Sequence, residues 1–503
     1  MKPFFILQTF NNNYYIFNFR KKIFLYCHPI LVQIFLFWKE NKHEFNVKNI
    51  AHKLSKYNRK TITYYYNKFR FLFEAGFFEE NEVIMEVDNI IIPEMIKKKL
   101  ANAKQITFEV TESCNLNCKY CGYGDLYWNH DERTYSELDE NVALKFLQYL
   151  KSLWDSPLNI SHQKPITISF YGGEPLLNFS FIRRIVDFID NLDFKHNRIN
   201  YGMTTNGILL DQYIEFLIKH EFYLLISLDG DKEHNIYRQQ KNGANSFEKV
   251  YKNVLLIKKN YPDYFKNNIM FNSVLHNRNN IEDVVTFFDK AIGKIPRISQ
   301  LNNIGIRKDK TNEFSKMFNL ASKSASDAKN LHYVENRMKI NFPGNFNKTV
   351  FLHFLLDNTF WSYDDLLKKI NINHIKRIPT GTCFPFDKKI FITAKGKILP
   401  CERIGHQYSL GNVNKDKINL NLANVAKSYE EYYSKLKKQC EKCYFFEMCL
   451  TCIFNIENLE NNPKCKDFAD YDLFQKYLTE SVNYFENHPE LYEELMRDTV
   501  ISY

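Results

Sequence analysis

Ten of the eleven cysteines in this 503-residue chain fall into two groups. The first group is a C-x3-C-x2-C triplet formed by Cys114, Cys118 and Cys121. The second group lies much further along the chain and contains Cys383, Cys401, Cys440, Cys443, Cys449, Cys452 and Cys465. In a reducing compartment, clustered thiols bind metal more often than they form disulfides. The spacing therefore predicts two metal-binding regions.

The triplet is suited to an iron–sulfur cluster. Three thiolates on one tight loop can hold three irons of a [4Fe–4S] cube, which leaves the fourth iron free to bind a substrate. Zinc is the alternative, but structural zinc sites are closed by four ligands, and the nearest other candidate, His130, lies nine residues beyond Cys121. Cys27 belongs to neither group, and we expect it to be a buried apolar residue.

The composition is that of a globular protein. It is 45% hydrophobic and 25% charged, with 44 Phe and 32 Tyr, which excludes disordered, collagen-like and coiled-coil chains. A net charge of +10 is a mild excess, smaller than expected of a dedicated nucleic-acid binder. The longest apolar run, residues 29–38, is too short to span a membrane, and polar residues at 11–13 and 20–22 interrupt any signal peptide. We expect a cytoplasmic protein of about three domains.

Between residues 105 and 307, short β-rich runs alternate with longer amphipathic segments. The pattern predicts strands at 106–111, 166–171, 200–205, 223–229, 269–275 and 298–304. It predicts intervening helices that include 141–154, 180–192, 211–220 and 247–260. This alternation indicates a parallel sheet, either doubly wound or rolled into a barrel, with functional loops at the carboxyl ends of the strands.

The loops after the first four predicted strands carry distinctive residues. The cysteine triplet follows the first strand, and the next three loops contain Gly172-Gly173-Glu174-Pro175, Thr204-Thr205-Asn206-Gly207 and Ser227-Leu228-Asp229-Gly230. Together with Tyr120 before the last cysteine of the triplet, these segments resemble the radical SAM superfamily. The resemblance implies an α/β core that forms a partial (β/α)6 TIM barrel. It also implies that a reduced cluster cleaves S-adenosylmethionine to a 5′-deoxyadenosyl radical, which abstracts hydrogen from unactivated carbon.

The same resemblance assigns the site residues. It implies that the cysteines of the triplet are the catalytic cluster ligands. The GGEP segment would hold the methionyl ammonium, the third loop would bind the ribose, and Ser227 and Arg238 would contact cofactor polar groups or the carboxylate. The cofactor-binding residues implied in this way are Tyr120, Gly172, Gly173, Glu174, Thr205, Asn206, Ser227 and Arg238.

The seven downstream cysteines resemble the SPASM extension of radical SAM peptide-modifying enzymes. The resemblance implies two auxiliary [4Fe–4S] clusters, and therefore three clusters in total. Cys383, Cys401 and Cys452 would hold the first, and Cys440, Cys443, Cys449 and Cys465 the second. The chain has only Leu450 and Thr451 between Cys449 and Cys452, where the family usually has three residues. A pair of zinc sites is the alternative, because CxxC pairs also suit zinc.

The N-terminal region has a different order of elements. The pattern predicts a β-hairpin at 14–19 and 22–26, helices at 29–39, 47–54 and 61–75, and a wing or linker strand at 83–92. This winged-helix order is similar to the PqqD-like recognition element of ribosomal peptide maturases, which implies that a leader peptide adds as a strand beside the hairpin. A structural cap is one alternative. DNA binding is another, through the basic residues Lys53, Lys56, Arg59, Lys60, Lys68 and Arg70.

The sequence thus predicts a winged-helix-like α+β domain at 1–95, a radical SAM core at 96–307, a helical connection at 308–380, a cysteine-rich SPASM domain at 381–470 and closing helices at 471–503. The function implied is radical modification of a ribosomally made peptide, by a thioether or carbon–carbon crosslink or a side-chain oxidation. The alternatives are a sulfatase-maturing, formylglycine-generating enzyme and an iron–sulfur or zinc DNA-binding regulator. The expected partners are a precursor peptide or protein and a reducing donor such as flavodoxin or ferredoxin, with no nucleic acid and no membrane.

Overall fold

A computed structural model describes residues 1–79, 85–87, 90–193, 198–338, 375–377, 384–449 and 451–490. Cys383, residues 339–374 of the predicted helical connection, and residues 83, 84, 88 and 89 of the predicted strand at 83–92 lie outside these residues. Within them, no helix is both long and apolar enough to cross a bilayer.

Six parallel strands form the centre of the molecule, as the sequence predicts. They are β5 (Gln105–Thr111), β6 (Ile166–Gly172), β7 (Ile199–Thr205), β8 (Tyr223–Ser227), β9 (Ile269–Leu275) and β10 (Arg297–Gln300). Each strand pairs in parallel with the next in chain order, and β5 and β10 lie at opposite ends of the series. This arrangement is a partial (β/α)6 barrel, so the expected fold class is confirmed.

Helices cover the outside of these strands. In chain order, they are α4 (Pro93–Ala101), α5 (Glu140–Trp154), α6 (Phe179–Asp190), α7 (Leu210–Lys219), α8 (Phe247–Asn260), α9 (Pro262–Asn268) and α10 (Ile281–Phe287). Alternate strand residues such as Ile106, Phe108, Ile168 and Phe170 are fully buried in the core shared with these helices. Because strand side chains alternate between faces, the residues between them, including Glu109 and Tyr171, face the barrel interior.

The cysteine-rich region continues the same sheet. Strand β12 (Ile390–Ile392) pairs in parallel with β5, and β13 (Lys397–Leu399), β14 (Gly411–Val413) and β15 (Ile418–Asn419) extend the sheet with antiparallel pairs. The helix α14 (Leu422–Cys440) packs on the shared core through Tyr429 and Tyr433. These strands are not predictable from the sequence pattern, because each is only two or three residues long.

The N-terminal region contains the predicted hairpin and three helices, preceded by a strand that the analysis does not predict. Strand β1 (Phe4–Gln8) pairs with β2 (Tyr14–Asn18), which pairs with β3 (Ile23–Cys27). The helices are α1 (Pro29–Glu40), α2 (Val47–Lys53) and α3 (Arg59–Glu74). Cys27 is buried, as expected, in the core between sheet and helices. The sheet has two edge strands, β1 and β3. The edge of β1 is covered by the helix Tyr471–Asn487, because the Tyr471 hydroxyl donates to Phe4 O at 3.0 Å and Gln475 Nε2 donates to Ile6 O at 3.1 Å. Strand β3 is therefore the open edge of the sheet.

The other face of the N-terminal sheet packs against the end of the chain. Phe5, Phe17 and Phe19 share a core with Tyr444 and with the helix α15 (Tyr471–Asn487). At the β2–β3 turn, Lys22 Nζ lies 2.5 Å from Glu447 Oε2. The N-terminal sheet therefore packs against the segment that carries the second predicted set of auxiliary cysteines.

Smaller elements complete the described residues. Strand β4 (Met85–Val87) pairs in parallel with β11 (Ile375–Arg377). Short helices follow β10, in keeping with the helical connection expected from the sequence. They are α11 (Thr311–Met317), α12 (Ala321–Ser326) and α13 (Leu331–Met338).

Candidate active site

The three cysteines of the triplet converge at the carboxyl end of β5. The Leu116 N–H donates to Cys114 Sγ at 3.4 Å, and Asn206 Nδ2 approaches the same sulfur at 3.7 Å. Burial raises the pKa of Cys118 to about 12, and the nearby Cys121 and Cys114 also raise it. Partly buried thiols on one loop, with N–H donors aimed at a sulfur, fit an iron–sulfur cluster, because cluster binding displaces the thiol protons and N–H donors stabilise thiolate ligands.

The GGEP segment lies directly against the cysteine loop. The Gly173 N–H donates to Thr111 O at 2.8 Å, and the Glu174 N–H donates to Ser113 O at 2.9 Å. A Cβ placed on Gly173 would lie 2.0 Å from Ser113 O, and Gly172 has a φ of +134°. The close approach of the two loops therefore requires glycine at both positions.

Glu174 joins the second and third loops. Its carboxylate has no solvent exposure and accepts hydrogen bonds from Thr205 Oγ1 at 2.8 Å, from the Asn206 N–H at 2.7 Å and from the Leu176 N–H at 3.1 Å. Burial raises the pKa of Glu174 to about 7, although the three donors oppose this shift. Asn206 Nδ2 also donates to Asn115 Oδ1 at 2.7 Å, so the loops after β5, β6 and β7 form one hydrogen-bonded unit.

This geometry gives Glu174→Gln a clear expected effect. The amide keeps the shape of the side chain. Its NH2 group, however, would face one of the three hydrogen-bond donors that the carboxylate oxygens accept from. The substitution also removes the negative charge near the expected methionyl ammonium. We expect affinity for S-adenosylmethionine to weaken roughly 10- to 100-fold, corresponding to about 1.4–2.8 kcal/mol. Calorimetry on the cluster-loaded protein measures this, with Glu215→Gln on α7 as the control. An unchanged dissociation constant would show that Glu174 neither contacts the cofactor nor positions its loops.

The predicted residues Tyr120 and Arg238 meet at a buried carboxylate. The hydroxyl of Tyr120 donates to Asp229, and Arg238 Nε lies 3.1 Å from Asp229 Oδ1. His276 at the end of β9 lies 3.7 Å from the other carboxylate oxygen. Burial acts to raise the pKa of Asp229, but Arg238, His276 and Tyr120 outweigh it, so this pKa is lowered. From the sequence, Asp229 is expected only as a member of its loop, with no role of its own, and no pattern predicts a role for His276.

These contacts place Arg238 beside the triplet, because its charge lowers the pKa of Cys118. Its guanidinium is 9% exposed and ion-paired within the protein. Ser227 lies half-buried at the end of β8, paired with Asn272 of β9. Cofactor contacts by Ser227 and Arg238 stay predictions.

A second polar group inside the barrel was not predicted. Glu109 on β5 is 2% exposed, accepts from the Ala394 N–H at 2.9 Å and lies 3.6 Å from Arg133 Nη2. The Arg133 guanidinium covers the ring of Tyr123 at 3.9 Å. Burial raises the pKa of Glu109 to about 7. A charged residue at an inward position of an otherwise apolar strand is the signal in the sequence that could have revealed this group.

Tyr171 connects this group with both cysteine regions. Its ring is 6.3 Å from that of Tyr123, and its pKa, raised chiefly by burial, is raised further by Glu402 and Cys121. Glu402 directly follows Cys401. The interior polar residues therefore lie between the triplet and the first predicted auxiliary cysteines.

The segment after the triplet crosses the open side of the barrel. Its Trp128 N–H donates to Gly305 O at 2.9 Å, and the hydroxyl of Tyr127 donates to Asn302 O at 2.8 Å, both just beyond β10. The His406 N–H donates to Asn129 O at 2.9 Å. One segment thus links the first strand, the last strand and the cysteine-rich region.

The second predicted auxiliary set is also brought together. Burial is the main cause that raises the pKa of Cys440, and the nearby Cys449, Cys443 and Cys465 raise it further. The Ala469 N–H donates to Cys443 Sγ at 3.4 Å. Four neighbouring thiols are the number that a fully ligated cluster takes. Among the described residues, however, no three His, Cys, Asp or Glu side chains are already spaced to hold a single metal ion. The alternative metal, zinc, takes the same number of thiolates, so these contacts do not distinguish the two.

The first predicted auxiliary set is described only in part. Burial raises the pKa of Cys401 to about 12, and Cys401 and Cys452 both pack against the main core. The third cysteine of this set, Cys383, lies outside the described residues.

Comparison with known proteins agrees with this geometry. Residues 108–291 match the radical SAM superfamily, and residues 383–452 match SPASM, an iron–sulfur cluster-binding domain. The chain thus contains a radical SAM domain followed by a SPASM domain. These two matches support iron–sulfur clusters and S-adenosylmethionine as its cofactors.

Several curated relatives are similar to this chain. It is 28% identical over 295 residues to the radical SAM cyclopropyl synthase TigE of Paramaledivibacter caminithermalis, covering 54% of this chain and 59% of the relative. It is 25% identical over 390 residues to the cysteine-type anaerobic sulfatase-maturating enzyme of Clostridium novyi, covering 73% and 93%. The chain therefore spans less than two thirds of the first relative and nearly all of the second.

The fold of this chain is also seen in a solved structure. That structure, native anSMEcpe with bound AdoMet and Kp18Cys peptide, superimposes with a TM-score of 0.51 at 20% sequence identity. The superposition covers 78% of this chain and 99% of the other. At this identity the likeness supports the fold alone.

Proposed function

We propose that this protein cleaves S-adenosylmethionine reductively and uses the resulting radical to modify a peptide or protein side chain. The observation that carries the proposal is the convergence of the Cys114 loop, the glycine pair and Glu174 with Thr205 and Asn206 at one end of an open barrel. When bound, the cluster and S-adenosylmethionine supply a 5′-deoxyadenosyl radical that removes hydrogen from carbon.

The residues of this chain position and protect that chemistry. Glu174 fixes the loop that bears Asn206, and the Asp229 network fixes Tyr120 beside the triplet. The segment from Tyr127 to Asn129 crosses the barrel opening and ties the first strand to the residues after the last strand. Inside, the Tyr123 hydroxyl and Arg133 Nε have no hydrogen-bond partner among the described residues, so they are available to a polar group of the substrate.

A peptide substrate is favoured by two observations. The names of the sulfatase-maturating relatives denote enzymes that act on a protein, and the similar anSMEcpe structure holds a peptide. In this chain, the N-terminal sheet also offers a free edge strand. Such an edge presents unpaired backbone groups, which an extended peptide can satisfy by adding a strand.

The helix α3 runs beside that edge. At one end of β3, the Tyr65 ring stacks on His28 with centroids 4.5 Å apart, and at the other end Lys21 Nζ donates to Gly76 O just after α3. Strand β3 keeps Ile23 39% exposed and Tyr26 65% exposed. The edge and the helix together form a groove suited to a leader segment of a ribosomally made precursor, as the resemblance to a PqqD-like element implies.

Ile23→Glu tests this recognition. A charge at the start of β3 disfavours an added apolar strand, so we expect the dissociation constant of a labelled precursor leader to rise roughly tenfold. Fluorescence anisotropy measures it. Phe10→Glu is the matched control, because Phe10 is 85% exposed but lies in the β1–β2 turn, away from the β3 edge. Equal leader affinity in both variants and the unaltered protein would favour the structural-cap interpretation.

Sulfatase maturation is the second candidate function. It is favoured by the coverage of 93% of the Clostridium novyi relative. A peptide carrying the cysteine or serine motif of a sulfatase distinguishes the two candidates, since a formylglycine product would identify the sulfatase-maturing activity. Three [4Fe–4S] clusters, Ser227 and Arg238 as cofactor ligands, and flavodoxin or ferredoxin as the electron donor belong to both proposals.

A further inference from the structure

A lysine-lined cavity lies at the end of the barrel opposite the triplet. It has a volume of about 300 Å³ and is lined by Lys98, Lys99, Lys104 and Lys164, with Asp387 as the single carboxylate. Lys99 is ion-paired with Asp387, while Lys98, Lys104 and Lys164 are exposed at the rim. The cavity and its rim therefore carry a net positive charge.

The position of the cavity relates it to the first auxiliary cysteines. Lys104 directly precedes β5, and Asp387 lies shortly before β12, which pairs in parallel with β5. Strand β13 runs back toward the same end and leads into Cys401. Lys99 Nζ lies 5.7 Å from the ring of Phe384, the residue after Cys383. Thus the cavity and Cys401 lie at the same end of the sheet, whereas the triplet lies at the other end.

We propose that this lysine surface docks an acidic protein that carries one electron at a time. The inference rests on the proposed function, which needs a reductant. The reduced carrier would lose one electron and the first auxiliary cluster would gain it, with no bond made or broken. Complementary charge at the rim would steer the carrier to the end of the barrel at which Cys401 lies.

The cavity is less suited to a small anion. Asn102 in its wall already donates to Lys98 O and Leu158 O and accepts from the Ile160 and Ser161 N–H groups. Among the described residues, no lining side chain has a buried polar atom without a partner. Lys98 and Lys104 carry their charges on long, exposed side chains, which match an extended acidic face better than a compact ligand.

Charge reversal at the rim tests the proposal. Lys98→Glu combined with Lys104→Glu should raise the dissociation constant of a bacterial flavodoxin for the holoenzyme roughly tenfold at low ionic strength, and less at high salt. Calorimetry measures binding directly, and thermal unfolding checks that the variant is folded. Lys252→Glu with Lys259→Glu on α8 is the matched control, because both lysines are exposed on another face of the barrel.

Reduction by dithionite separates this inference from the proposed function. We expect dithionite-driven cleavage of S-adenosylmethionine to be equal in the unaltered protein and the rim variant, while flavodoxin-driven cleavage falls in the rim variant only. Equal flavodoxin binding by the rim variant, the control and the unaltered protein would overturn the docking proposal. Loss of binding to inorganic phosphate with unchanged flavodoxin affinity would also overturn it, by assigning the cavity to a small anion. Absence of dithionite-driven cleavage in the unaltered protein would instead contradict the proposed function.

Discussion

Replacing Cys114, Cys118 and Cys121 together by alanine should abolish formation of 5′-deoxyadenosine and leave the auxiliary cysteines able to bind their clusters. The triplet lies on the loop after β5, whereas Cys401 follows β13 and Cys440 ends α14, so the two regions belong to different elements. We expect the variant to lose about four irons and four sulfides per chain, the content of one cube.

Iron and acid-labile sulfide analysis after anaerobic reconstitution, together with chromatography of the nucleoside product, measures both effects. Cys27→Ala is the matched control, because Cys27 is buried in the N-terminal core away from both groups. Continued 5′-deoxyadenosine formation in the triple variant would place the cofactor at another cluster. Stoichiometric zinc without sulfide in the unaltered protein would favour the zinc alternative for all ten cysteines.

Gly173→Ala should have an effect almost as large, although it changes no candidate ligand. The added methyl would lie 2.0 Å from Ser113 O and 2.9 Å from Glu112 O, both backbone atoms that cannot rotate away. Relief requires the GGEP segment to separate from the cysteine loop, at a cost of roughly 1–3 kcal/mol or more. That separation breaks the hydrogen bonds from Gly173 to Thr111 and from Glu174 to Ser113.

Calorimetric titration with S-adenosylmethionine, beside iron analysis, measures the result. We expect affinity to fall at least roughly tenfold, with the auxiliary iron retained. Gly122→Ala is the matched control, because it follows Cys121 directly and a Cβ there would meet no atom within 4 Å. Similar affinity for both glycine variants would show that the close loop packing does not support cofactor binding.

The alternation of strands and helices predicts the barrel correctly because each β/α unit is a local pattern. The predicted boundaries of β5, β6 and β9 differ from the structure by at most one residue. Strand β10 is shorter than predicted, ending at Gln300, because the following residues leave the sheet to meet Tyr127 and Trp128. The short strands after Cys383 carry too little periodicity to be predicted. They form by pairing, with β12 on β5 and each of β13, β14 and β15 on the strand before it.

For the site too, local patterns predict which residues take part, whereas contacts between distant parts of the chain could not be predicted. The loop motifs reveal which residues gather at the strand ends, but the partners of Glu174 depend on how neighbouring loops pack. The Asp229–His276 contact joins residues nearly 50 positions apart, and no local pattern indicates it. The strand β1 and the contact between the N-terminal sheet and α15 were likewise not predicted, since they depend on chain ends that meet only in the folded protein.

That contact affects how the N-terminal domain can be tested. Removing residues 1–95 would expose Tyr444 and Phe446, which pack on Phe5 and Phe19 beside the second auxiliary cysteines. A truncated protein would therefore lose leader binding and auxiliary-cluster packing together. Point variants at the β3 edge separate the two effects.

The most direct test of the account is to incubate the reduced, cluster-loaded protein with S-adenosylmethionine and a candidate precursor peptide, and to measure peptide mass and 5′-deoxyadenosine in the same sample. If the protein modifies a peptide by radical chemistry, we expect a changed peptide mass, such as the loss of two hydrogens on crosslinking or oxidation. We also expect 5′-deoxyadenosine in proportion to modified peptide, with neither product from the triplet variant. Peptide modification that proceeds without 5′-deoxyadenosine, or in the triplet variant, would contradict the proposed function.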